Sequence, residues 1–170
     1  PVTTGRFCRQ RQVFSACAGA AIYRRDLLLK LALPEKKKPA AGKDKTALPE
    51  TAPPKAAPEC FDLQHFAYLE DIDLCYRARI HGYQVLYCPE AEVYHVGSGT
   101  SGSRYNAFKV RLAARNNVYL NYKNMPVLQL CLNLPGILLG VLIKQIFFAR
   151  IGFGREYRQG FLEGIRTLPE

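Results

Sequence analysis

Phe66-Ala67-Tyr68-Leu69-Glu70-Asp71-Ile72-Asp73-Leu74-Cys75-Tyr76-Arg77-Ala78-Arg79-Ile80-His81-Gly82-Tyr83 carries the strongest signal in this chain. An aromatic, apolar run ends abruptly in the carboxylates Glu70, Asp71 and Asp73. Ile72, Cys75, Tyr76 and Arg79 then recur at helical spacing, which predicts a helix with one continuous face. Gly82 supplies its stop, because helices commonly close on a residue at positive φ. The acids fall in the first turn, where unpaired N–H groups and the helix dipole favour negative charge. Two readings fit that placement: plain capping, or a carboxylate kept ionised and aimed into a cleft, as a general base must be.

Upstream, Ser15-Ala16-Cys17-Ala18-Gly19-Ala20-Ala21-Ile22-Tyr23 is a run of small residues flanked by bulkier ones. It predicts a buried strand on which another element packs closely, with a short helix starting at Arg25-Asp26. Residues 34–59 change character completely: proline, lysine and alanine dominate and aromatics are absent. Such a segment cannot bury enough apolar surface to offset its ordering entropy, so it reads as an inserted flexible loop. Downstream, Tyr83–Cys88 alternates and is rich in β-formers, predicting a strand ended by Pro89. Glu92–Val96 reads as a second short strand, followed by the Gly/Ser loop 97–103, whose N–H groups could close over phosphates. Residues 104–124 form a basic helix with Tyr105, Phe108, Leu112, Val118 and Tyr119 as its apolar positions.

From Val127 to Ile143 the chain carries no charge. That run approaches the ~20 residues a membrane-crossing helix needs. Pro135-Gly136 interrupts its middle, and Arg111, Arg115 and Lys123 before it and Lys144, Arg150, Arg155 and Arg158 after it make both flanks basic. Positive charge tends to stay on the cytoplasmic side, so the expectation is a broken hairpin or helices lying in the interface rather than a single crossing. Gly154–Arg166 predicts a closing amphipathic helix.

Composition narrows the partners. Of 170 residues, 48% are apolar and the net charge is +10. The charge suits an anionic membrane surface or a phosphorylated substrate, and no nucleic-acid-binding motif accompanies it. The six cysteines form no C-x-x-C pair, which argues against structural zinc and for free thiols in a reducing compartment.

Glu70-Asp71-Ile72-Asp73 resembles the Glu-Asp-x-Asp region of the glycosyltransferase family 2 enzymes, particularly their rhamnosyltransferase-like branch. Phe61-Asp62 leading to His65-Phe66 is similar to the family's Phe-Asp-Glu-x-Phe-Phe entry, with Leu63 in place of the acid and His65 in place of the first aromatic. The small-residue segment with Arg24-Arg25-Asp26-Leu27, Val93-Tyr94-His95 followed by Gly97-Ser98, Arg115-Asn116-Asn117, and the hydrophobic and amphipathic tail follow in the family's order. The 34–59 insertion departs from it, and the family's nucleotide-binding half with its metal-holding Asp-x-Asp finds no counterpart. The resemblance thus implies an α/β fold: a partial GT-A-type, Rossmann-like domain lacking its N-terminal nucleotide-binding half, in residues 1–124, followed by a membrane-associated helical tail in 125–170.

The same resemblance implies an inverting transfer of sugar, rhamnose from dTDP-rhamnose being the first expectation, from a nucleotide-sugar donor to a lipid-linked glycan acceptor. The setting would be envelope polysaccharide assembly at the cytoplasmic face of the membrane. Asp71 is the implied base and Glu70 its runner-up. Gly19, Asp73, Arg77 and Ser98 are expected at the substrate, although Asp73 also suits a helix cap or a pair with Arg77. His95 would ligate a divalent metal, Mn²⁺ or Mg²⁺, at the diphosphate. A non-catalytic alternative is an incomplete domain that only binds membrane or a partner.

Overall fold

The computed structural model describes residues 9–33, 59–94, 103 and 105–168. Along them run β1 (Arg11–Val13), a 3₁₀ turn (Ala18–Ala20), α1 (Arg25–Lys30), α2 (Glu70–Ile80), β2 (Val85–Tyr87), α3 (Ala107–Asn124), α4 (Val127–Arg150) and α5 (Gly154–Arg166). β1 and β2 pair antiparallel, Arg11 facing Tyr87, Gln12 facing Leu86 and Val13 facing Val85. A ribbon this short is marginal alone. It is braced by α2: Arg79 Nη1 donates to the Val13 carbonyl at 3.2 Å and the guanidinium lies over the Phe14 ring, which meets Tyr76 edge-on.

α2 is the hub of the first core. Leu74 is fully buried and packs with Ala78 against Leu27 and Leu31 at α1, with Tyr23, Leu28, Cys60 and Tyr83 around them. Its C-terminal end closes as the sequence predicts. Gly82 sits at φ +83°, its N–H bonds the Arg79 carbonyl, and the Tyr83 N–H reaches back to Ala78, the paired bonding of a Schellman cap. α3 starts with equal definition, Asn106 Oδ1 accepting from the Lys109 N–H at 2.8 Å.

The second core joins α3 to the two C-terminal helices through Val110, Ala114 and Tyr157, with Tyr105, Val141, Phe148 and Phe153 against them. α5 lies unusually close to α3. A Cβ on Gly160 would stand 2.0 Å from the Arg111 carbonyl oxygen, and one on Gly164 would stand 2.9 Å from that of Arg115. Only glycine on that face permits the approach.

The expected α/β class takes the form of a helical majority with one two-stranded ribbon among the described residues; no parallel sheet occurs among them. Three expectations need correction. The small-residue segment is not a buried strand: Cys17–Ala20 is exposed and turns as a 3₁₀ helix, because small side chains bury too little area to hold a strand inside. Residues 92–94 form no strand; 95 and 96 lie outside the described residues, as does all of the insertion except Glu59. Finally, Pro135 does not break α4, which runs unbroken for 24 residues. Proline deletes one backbone donor, and the rest of the ladder carries the helix through it.

Candidate active site

α2 begins in an uncommon way. Phe66, Tyr68 and Leu69 all have positive φ (60°, 67° and 69°), and none is glycine. Each such residue costs on the order of 1–3 kcal/mol, so the surroundings must enforce the turn. Leu69 occupies the N-cap position without any side-chain cap. The enforcement comes from α3: the Asn116 amide is fully buried, and its Nδ2 lies 2.7, 2.8 and 2.8 Å from the carbonyls of His65, Ala67 and Tyr68. Arg115 Nη2 adds bonds to the Gln64 and His65 carbonyls at 3.1 and 3.4 Å.

The turn delivers Glu70 and Asp71. Asp71 is half-buried, and its Oδ2 accepts from the Ala18 N–H at 3.1 Å while Oδ1 accepts from Ile72 N–H. The carboxylate therefore sits at the seam between α2 and the exposed 3₁₀ turn, one residue from Gly19. Ala18 also lines a cleft of about 540 Å³ together with Tyr23, Leu28, Glu59, Cys60, Phe61 and Leu63. On that cleft's wall the Tyr23 phenol is pushed above its usual range, by burial first and then by Cys75. The Oε2 atom of Glu70 is shielded from solvent and accepts no hydrogen bond among the described residues.

Asp73 lies two residues beyond Asp71, about 200° further round the helix, and is buried. Its Oδ2 accepts from Arg77 Nε at 2.9 Å and its Oδ1 from Asn124 Nδ2 at 2.7 Å. Arg77 spends its remaining donors on the Leu31 and Cys60 carbonyls at 3.0 and 2.6 Å. Asp73 and Arg77, expected at the substrate, form an internal ion pair that ties α1, α2, α3 and residue 60 together. His95 and Ser98 lie outside the described residues.

Beneath the turn, His65 is fully buried edge-on to Tyr119. Desolvation lowers its pKa, partly opposed by the charges of Asp73 and Glu70, and the neutral ring acts as a space-filler. Asp62 next to it pairs with Lys123 and accepts from the Gln64 N–H at 2.9 Å. Among the described residues no three His, Cys, Asp or Glu side chains converge on a metal-sized site.

The family model described as glycosyltransferase like family 2 matches residues 1–117. The chain belongs to glycosyltransferase-like family 2. Membership implies a GT-A-like fold, of which the described residues form part, together with a nucleotide-sugar donor and an acceptor. No curated protein and no solved structure matches the chain. For a family 2 transferase the match is informative in where it stops. It takes in the turn, α2, β2 and the Arg115-Asn116 step of α3, and leaves α4 and α5 outside. Sequence reasoning noticed Arg115-Asn116 only as a similarity. Two adjacent polar residues on a basic helix gave no sign that one is buried against a strained turn fifty residues earlier.

Proposed function

We propose that this chain supplies the acceptor-side part of an inverting glycosyltransferase, with Asp71 as general base. The observation that carries the reading is the half-buried Asp71 carboxylate, held by the Ala18 N–H beside the cleft, within the segment that matches the family. Asp71 takes the proton from an acceptor hydroxyl as that oxygen attacks the anomeric carbon. The bond to the nucleotide diphosphate breaks on the opposite face, so configuration inverts and the diphosphate leaves with the electron pair. Glu70, turned inward, is the weaker candidate for the same role, and Gly19 keeps the wall beside Asp71 low enough for a sugar to approach. His95 is this chain's candidate to hold a divalent cation at the diphosphate, which would stabilise the charge on the leaving group; Ser98 is the loop contact proposed with it. dTDP-rhamnose is the first donor to try.

α4 supports the membrane side of the proposal. It is long and apolar enough to cross a bilayer, and none of its residues is buried in the protein. Lys144, Arg150, Arg155 and Arg158 gather at its C-terminal end and on α5, suited to anionic head groups. We place the enzyme at the cytoplasmic face, acting on a lipid-linked glycan. Asp71→Asn in the full-length protein should lower transfer by ~10²–10⁴-fold, the usual contribution of a positioned base. Transfer from the nucleotide sugar at the wild-type rate would remove the assignment.

A further inference from the structure

The Asp71 assignment leaves open what holds the acid in place, since the turn before it is strained and α2 has no side-chain cap. We propose that Asn116 is a positioning residue for the transfer reaction, acting through the 65–69 turn on Asp71, with Arg115 fixing its orientation. The proposal rests on the reading of Asp71 as base.

The argument is one of donors and acceptors. Three backbone carbonyls, those of His65, Ala67 and Tyr68, converge on one buried nitrogen. Carbonyl dipoles repel one another when they converge, so this arrangement needs a donor at its centre, and the donor here belongs to a fully buried side chain. Arg115 Nε donates to Asn116 Oδ1 at 3.1 Å, which settles the amide: oxygen toward the guanidinium, NH₂ toward the turn. The guanidinium is itself held, lying over the Tyr119 ring and reaching Glu163 on α5 at 3.6 Å. Asn116 in turn holds the backbone just before Glu70, and Asp71 follows it at the start of a rigid helix. Losing the NH₂ group frees three left-handed residues to relax toward ordinary φ. The helix start then rotates, and Asp71 loses its register with Ala18. A displacement near 1 Å in a reacting group can cost on the order of 10²-fold in rate.

The test separates positioning from packing. Asn116→Asp keeps the shape and removes the donors; Asn116→Ala removes both. Each is made in the wild-type and in the Asp71→Asn background of the full-length protein. Transfer of radiolabelled sugar from dTDP-rhamnose, or from a panel of UDP- and GDP-sugars if that donor is inert, is followed into extractable membrane lipid. Both substitutions should lower kcat by ~10–100-fold with the donor KM little changed. In the Asp71→Asn background the same substitutions should cost less than about threefold, because a group acting only through Asp71 has nothing left to act on. Amide exchange across 65–73 should rise in step. If Asn116→Asp keeps kcat within about twofold of wild type, or if the losses multiply in full with Asp71→Asn, the proposal is overturned. Should the Asn116 variants fail to fold, Arg115→Lys carries the same cycle, with an expected loss of ~3–10-fold that again vanishes without Asp71; persistence of that loss overturns it equally. An Asp71→Asn enzyme as active as wild type removes the base assignment instead, and is told apart by that single measurement.

Discussion

α2 and α4 are built on opposite terms. α2 is 11 residues long, carries three acids and two arginines, and still buries Asp73, Leu74, Cys75 and Ala78. α4 is more than twice as long, almost free of charge, and has no fully buried residue. The first owes its position to partners inside the protein: Arg77 reaching two carbonyls, Asn124 meeting Asp73, Asn116 gripping the turn ahead of it. The second meets the protein along one side only, through Val141, Phe147 and Phe148 against Tyr105 and Tyr157, and leaves the rest of its apolar surface exposed. The difference teaches where each helix is vulnerable, and mutation can separate the two.

Arg77→Leu strikes the inner arrangement hardest. It leaves Asp73 buried without its cation and two carbonyls without donors, and should cost about 3–5 kcal/mol of stability, read from denaturant unfolding. Leu139→Asp, in the middle of α4, should do the reverse. Its side chain is exposed, so unfolding in detergent-free buffer should shift by less than about 0.5 kcal/mol. Flotation with anionic vesicles should fall by about 2.5–3.5 kcal/mol, the cost of an acid at the bilayer centre. Equal vesicle binding by both forms would mean that α4 is covered by protein instead. Gly160→Ala probes the join between the halves. Its new methyl meets the Arg111 backbone, so α5 must move away from α3 at about 1–3 kcal/mol, visible as a lower melting temperature.

The smallest effect concerns His65. Burial depresses its folded pKa below the ordinary value of about 6.5. Above that pH both states are neutral there and nothing is lost. As pH falls below it, the unfolded chain takes up the proton more readily, so stability drops toward the folded pKa. Melting curves between pH 7 and 5 should show this slope, and His65→Phe should flatten it.

Much of the inner helix was legible in advance. The acids, the 3.6-residue period and Gly82 marked α2 to within two residues at either end, and Gly154–Arg166 was read without error because its apolar face and glycines coincide. The strained turn was not legible. Phe66, Tyr68 and Leu69 carry no local preference for positive φ; a tertiary contact from α3 imposes it, and contacts of that range leave no trace in spacing. The small-residue run misled for a related reason, since alanine and glycine suit a tight strand and an exposed turn equally well. Pro135 misled because the loss of one backbone donor weighs little against the ladder of a helix 24 residues long.

One guanidinium settles a question about chain length. Arg77 holds the carbonyls of Leu31 and Cys60 at once, and the Leu33 N–H bonds the Glu59 carbonyl at 2.9 Å. The exit and re-entry points of residues 34–58 are thus fastened side by side, independent of what lies between. Closing a loop costs entropy only logarithmically, about 0.6 kcal/mol per doubling. Evolution can lengthen, trim or replace that interval at a nearly constant energetic toll, and a laboratory can graft a reporter or an affinity handle there while the acid at position 71 keeps its place.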